Sequence, residues 1–250
     1  MSTPAKPELT GGRRIGVLVQ HGFTGNPVSM RPWAEHLAAR GYAVEMPLLP
    51  GHGTRWQDLN RVAWSDWVAT AEDAYEKLAA ENDAVVAVGL SMGAALCLRL
   101  AADKGDGLAG ICVVNAAVDT LRKDVKLLPV LKHVVPAMPG IANDIKKPGA
   151  DEHGYPMTPL KAAASMFAGY AELRRDLPRI TIPVLFFRSA EDHVVDISSS
   201  RALNAGLSSK DFEERVLDNS FHVATLDNDA PRIFEESAEF IERVTQSPQG

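Results

Sequence analysis

The chain has 250 residues, 46% of them hydrophobic and 23% charged, which supplies a sizeable core and excludes wholesale disorder. A net charge of −6 with no basic stripe argues against nucleic acid as the main partner. The two cysteines, Cys97 and Cys112, lie in apolar runs without metal or redox spacing and read as buried free thiols; no metal or organic cofactor is expected.

The opening MSTPAKPELTGG lacks a basic stretch followed by an apolar one, so no leader peptide is expected there. No apolar run approaches the roughly 18 residues of a membrane span, and a soluble, cytoplasmic protein is the expectation. Residues 15–20, IGVLVQ, form a continuous apolar run of the kind buried on both faces of a parallel sheet. Ser29 is expected to cap a helix with Met30, Trp33 and Leu37 on one face and Gly41 as its stop. YAVEMPLL (42–49) reads as the next strand, and Ser65 as the cap of a helix burying Trp67, Ala71, Ala74 and Leu78. AVVAVGL (84–90) is a strand, 92–102 a helix and LAGICVVNAA (108–117) a strand.

Between 120 and 177 the rhythm breaks: six of the sixteen prolines fall among short apolar pieces, and no clean strand is predicted. Alternation resumes with ITIPVLFFRSA (180–190), a short helix near 199–206 and the strand FEERVL (212–217). A final helix carries Ile233, Ser237, Phe240, Ile241 and Val244 on one stripe. The alternation predicts one α/β domain with a mostly parallel, doubly wound sheet, and 120–177 as a cap inserted over the carboxyl ends of the strands.

Gly89-Leu90-Ser91-Met92-Gly93 lies where a strand hands over to a helix, the setting of a G-x-S-x-G nucleophile elbow. There Ser91 would project from a strained turn, with the Met92 amide aimed at the site of a developing oxyanion. A serine hydroxyl needs a base, and the imidazole needs a carboxylate to fix its tautomer. Among seven histidines only His193 and His222 follow a late strand. Asp192 ends the strand IPVLFFRSA and His222 follows FEERVL, so Asp192 and His222 are the chosen pair, ahead of Glu191 and Asp196 as acids and His193 as base. The loop after the first strand, His21-Gly22-Phe23-Thr24-Gly25, offers the Phe23 amide as second oxyanion donor. It has neither Walker spacing nor G-x-G-x-x-G. His52 is assigned a structural role, and His36, His133 and His153 are assigned to the surface.

The pieces VQHGFTGNPVSMRPWAEHLAARGY, PGHGT, GLSMG, NAAVD, EDHVVD and NSFHVATLD together resemble the bacterial monoacylglycerol lipases and small carboxylesterases of the α/β-hydrolase superfamily, from about residue 15 to 244. The resemblance implies Ser91, Asp192 and His222 as a triad and Phe23 and Met92 as oxyanion donors. It also implies, through KKPGADEHGYPMTP, that Glu152 holds glycerol hydroxyls. The expected activity is hydrolysis of monoacylglycerol or similar single-chain fatty esters, with transient membrane or micelle contact through the cap. A general carboxylesterase and an acyltransferase use the same triad, and a non-catalytic binding protein could share the fold.

Overall fold

The computed structural model describes residues 12–246. The expected absence of a leader concerns residues 1–11 and lies outside them. The chain begins with β1 (Ile15–Gln20), α1 (Arg31–Ala39), β2 (Ala43–Glu45), a single-turn α2 (Trp56–Leu59) and α3 (Trp64–Glu81). It continues through β3 (Ala84–Leu90), α4 (Met92–Lys104) and β4 (Gly110–Val114). Next come α5 (Leu128–Leu131), β5 (Ala137–Pro139), β6 (Met157–Pro159) and α6 (Leu160–Asp176). The last elements are β7 (Val184–Ser189), α7 (Ile197–Gly206), β8 (Phe212–Leu217) and α8 (Ala230–Thr245).

Six strands form one sheet in the order β2-β1-β3-β4-β7-β8, with every pairing parallel. This is the predicted α/β-hydrolase class of fold. The chain runs outward from β1 to β2, then returns to add β3 on the other side. The reversal between β1 and β3 opens a crevice at their carboxyl ends, where open α/β sheets bind ligands.

The sheet is covered on both faces, which explains the unbroken apolar strands. Trp33 and Leu37 of α1 and Ile233 and Ile241 of α8 close one face; Trp67, Ala71 and Leu78 of α3 close the other, with α4. All residues from Met92 to Ala102 are buried, so α4 is apolar all round. Its one charged member there, Arg99, is held by Asp103 and by Asp176 of α6, both at 2.6 Å. Cys97 and Cys112 are buried and free, as expected.

Several local expectations need correction. Ser29 does not cap α1: Asn26 caps a short 3-10 turn at 27–29 by accepting the Val28 N–H, and the helix starts at Arg31. Ser65 sits inside α3, whose cap position is Ala63; the Asp66 carboxylate accepts the Ala63 N–H at 2.8 Å. The strand expected over 42–49 shrinks to three residues, because Pro47 has no N–H to give the ladder. The 120–177 segment does contain strands, β5 and β6, paired antiparallel, and a 17-residue helix, α6. Arg174 of α6 is half-buried, donating to the Val118 carbonyl and pairing with Asp119. His36 is also half-buried, accepting from Arg40 Nε at 3.1 Å and facing Glu235. Among the described residues no helix is long and apolar enough to cross a membrane.

Candidate active site

Ser91 stands between β3 and α4 with φ +57° and ψ −117°, a left-handed backbone that a residue with a Cβ rarely adopts. The neighbourhood enforces it. The Ser91 N–H donates to Val114 O on β4 at 2.9 Å, while its carbonyl accepts Ala95 N–H and Ala117 N–H. The glycines on either side permit the approach. A Cβ on Gly93 would lie 2.2 Å from Gln20 O, and one on Gly89 would lie 2.5 Å from the Gly93 carbonyl. The turn is therefore squeezed between β1 and the first turn of α4, and only glycine fits on both flanks.

The loop after β1 crosses directly beside this serine. A Cβ added to Gly22 would be 3.4 Å from Ser91 Cβ. His21 anchors the loop: its Nε2 accepts the Leu49 N–H, so its proton sits on Nδ1 and is donated to Gly22 O. Burial, then the neighbouring His52, pushes His21 down to about 3, so it stays neutral. His52 is buried too, lowered to about 4 mainly by desolvation, and packs edge-on against His21 and Phe23. These two histidines shape the loop, which agrees with the structural role given to His52. Met92 is the first residue of α4, and its N–H is among the amides that a helix leaves free at its start.

His222 follows β8, and its Nδ1 lies 2.8 Å from Asp192 Oδ2; both side chains are less than a tenth exposed. The remaining Asp192 oxygen accepts Val194 N–H and Val195 N–H at 2.8 Å. Burial opposes charge on the Asp192 carboxyl, but His222 and these two amides hold it below the usual carboxylate range. Burial, the largest single influence, likewise opposes charge on His222, but Asp192 together with Glu152 and Asp144 outweighs it, leaving the imidazole above its ordinary value. With the Nδ1 proton facing the carboxylate, Nε2 keeps its lone pair, the state a general base requires.

Ser91, His222, Gly22, Phe23 and Glu152 all line one cavity of about 550 Å³, within the range of ~300–1,000 Å³ usual for small-molecule sites. Much of its wall is apolar and comes from the 120–177 segment: Leu128, Leu160, Ala163, Met166, Phe167 and Tyr170. Glu152 is half-buried with its Oε1 accepting the Asn143 N–H, and burial raises its carboxyl above the usual range.

The rejected alternatives have other partners. His193 Nδ1 lies 2.7 Å from Asp144 and its Nε2 faces Glu191. Asp196 caps α7 through the Ser198 N–H and accepts from Thr120 and Leu121. His133 and His153 do not contribute to the cavity wall.

Sequence reasoning missed the residues that hold the His222 loop. Asn115, itself at φ +45°, donates to His222 O at 2.8 Å and accepts the Ser189 N–H; the Ser189 hydroxyl donates to Phe221 O. Asp144 accepts the His222 N–H, and Asp227 accepts the Phe221 N–H. The one available signal was an asparagine directly after a buried strand, since asparagine tolerates the left-handed region better than most residues.

A profile of the hydrolase family described as serine aminopeptidase, S33, matches residues 12–229. The chain is 39% identical over 243 residues to a thermostable monoacylglycerol lipase of Bacillus sp. (strain H-257), covering 94% of each. It is 27% identical to a carboxylesterase of Bacillus subtilis (strain 168) over 97% of this chain and 98% of that one. A solved structure described for the metagenome-derived lipolytic enzymes LipS and LipT superposes with a TM-score of 0.89 at 41% identity, covering 92% of this chain and 94% of that one. The Paleococcus ferrophilus monoacylglycerol lipase shares the fold at TM-score 0.77 and 19% identity, over 92% of this chain and 94% of that one. With the profile spanning most of its length and a close relative matched nearly end to end, the chain is an α/β-hydrolase of the serine aminopeptidase S33 family.

Proposed function

We propose that the protein hydrolyses monoacylglycerols or similar single-chain fatty esters through an acyl-enzyme on Ser91. The observation that carries this reading is the cavity itself. A serine on a strained turn and a histidine oriented by a buried carboxylate share it with an apolar wall suited to one acyl chain. The named activities of the relatives, a monoacylglycerol lipase and a carboxylesterase, support the same chemistry.

In this mechanism Ser91 Oγ attacks the ester carbonyl as His222 Nε2 takes its proton. The carbonyl oxygen becomes an oxyanion held by the Phe23 and Met92 amides. Collapse breaks the ester C–O bond, and His222 returns the proton to the departing alcohol. Water then repeats the cycle: His222 deprotonates it, the acyl carbon is attacked, and fatty acid leaves as Ser91 recovers its proton. Glu152 accepts hydrogen bonds from the glycerol hydroxyls, a role its half-buried position on the cavity wall supports. Residues 120–177 act as the cap. Its exposed Leu121, Leu127, Val130 and Val134, beside Lys123 and Lys126, meet the lipid surface that supplies substrate.

A hydrolysis profile over mono-, di- and triacylglycerols of varied chain length tests the reading. Preference for the mono form, abolished in Ser91→Ala, is expected; equal rates on all three classes would overturn the substrate assignment. Activity undiminished in Ser91→Ala would overturn the chemistry. Addition of a competing alcohol separates hydrolysis from acyl transfer.

A further inference from the structure

The cap and the catalytic-histidine loop exchange buried carboxylates. Asp144, in the cap between β5 and β6, is less than a tenth exposed and borders the cavity that Ser91 and His222 line. Its Oδ2 accepts two backbone amides, His222 N–H and His193 N–H, both at 3.1 Å, and its Oδ1 lies 2.7 Å from His193 Nδ1. Its own carbonyl accepts the Val223 N–H at 3.0 Å. In return Asp227, buried in the core after β8, accepts Lys146 N–H and Lys147 N–H of the cap, together with the Phe221 N–H. Phe221 is thus fastened to the Asp227 carboxylate, which also holds the cap, while His222 and Val223 are fastened to the carboxylate and the backbone carbonyl of Asp144 within the cap.

We propose that Asp144 is a positioning residue: it fixes the backbone of His222 from the cap side and sets the charge beside the imidazole. The proposal rests on the reading of His222 as base to Ser91. A carboxylate satisfied by two amides and an imidazole is a stiff anchor, and small displacements of a catalytic group are expensive in rate. Asp192, Glu152 and Asp144 all favour the protonated form of His222, while burial opposes it. Asp144 is in turn faced by His193, whose protonation its carboxylate favours, with Glu191 beyond at 3.4 Å and Lys146 over the Phe221 ring at 5.4 Å. His193 therefore offsets part of the Asp144 charge that His222 experiences.

The signs follow. Asp144→Asn can keep an oxygen on the two amides but removes the charge, so the His222 imidazolium loses a stabilising neighbour and becomes more acidic. Below its pKa His222 is protonated and cannot act as base, so the acid limb of kcat/KM moves to lower pH. His193→Gln leaves Asp144 uncompensated and moves that limb to higher pH. Asp144→Ala removes the anchor itself.

The test is turnover of a soluble p-nitrophenyl ester from about pH 5 to about 9 by the three variants, with Ser91→Ala as control. Asp144→Ala is expected to lower kcat about tenfold or more with a much smaller change in KM. Asp144→Asn is expected to retain most of the plateau kcat, and the Asn and Gln variants to shift the limb in opposite directions by roughly half a pH unit. Limbs coincident with wild type in both, or wild-type kcat in Asp144→Ala, would overturn the proposal. Should Asp144→Ala fail to fold, the other two still decide it. Retained activity in Ser91→Ala would instead sink the underlying reading of the triad, whatever the limbs do.

Discussion

At position 91 a non-glycine residue is held in a left-handed conformation that costs about 1–3 kcal/mol, and the surrounding contacts make it the only one available. Gly93 is where this is most exposed to test. A methyl group there would have to displace the Gln20 carbonyl from 2.2 Å, at the end of a fully buried strand. Gly93→Ala should therefore lower unfolding stability by several kcal/mol, about 2–4, measured by urea titration, and abolish turnover. A variant as stable as wild type would mean that β1 and α4 are less tightly wedged than the geometry requires. His222 makes the second prediction at this scale. Its pKa is raised above the ordinary 6.5, and the proposed mechanism needs its neutral form, so activity should be full above that raised value and be lost as pH falls through it. The acid limb of kcat/KM should have its midpoint above pH 6.5. A midpoint below that would show that burial, not Asp192, dominates the imidazole.

Among the elements, those with a single clear partner were legible in the sequence. The strands 15–20, 84–90 and 212–217 fall where their apolar or alternating runs placed them, and α8 keeps its stripe of Ile233, Phe240 and Ile241 on the sheet. Their neighbours were legible except at the ends, where local groups decide: Asn26 caps the 3-10 turn ahead of α1, and Asp66 accepts the Ala63 N–H at the start of α3, where Ser29 and Ser65 were expected as caps. The 120–177 segment was legible as a break in the alternation, but the elements inside it were not. Helix α6 divides its apolar residues between two partners, with Met166, Tyr170 and Leu173 on the main core and Leu160 and Ala163 on a small cluster with Leu128. Neither set forms a strong stripe by itself. Strands β5 and β6 have three residues each, and both contain proline, so no alternation could mark them. The elbow and the order Ser91, Asp192, His222 could be read because their chemistry fixes residue type and place. Asp144 could not, because its partners His193 and His222 are joined to it only by the fold. The cap also carries a prediction. Val130 and Val134 are about three-quarters exposed and absent from the cavity wall. Val130→Asp with Val134→Asp should reduce binding to phospholipid vesicles and hydrolysis of emulsified monoacylglycerol several-fold, roughly one logarithmic unit at most, while leaving a soluble ester unaffected. Equal losses on both substrates would contradict a docking role.

For the molecule as a whole, the site lies where the sheet reverses its winding. β1 delivers His21–Phe23 and its neighbour β3 delivers Ser91, so two strands adjacent in space but separated by α1, β2, α2 and α3 in sequence meet at one crevice. Strands β7 and β8 bring Asp192 and His222 to the same edge, where residues of the 120–177 segment supply the apolar wall of the cavity. This arrangement makes one claim central: Ser91 is the atom that becomes acylated. Mass spectrometry of the protein after reaction with a fluorophosphonate tests that most directly. A single adduct mapped to Ser91, formed quickly by wild type and far more slowly by His222→Ala, is the predicted result. No adduct, or one at another serine that forms equally well without His222, would contradict it.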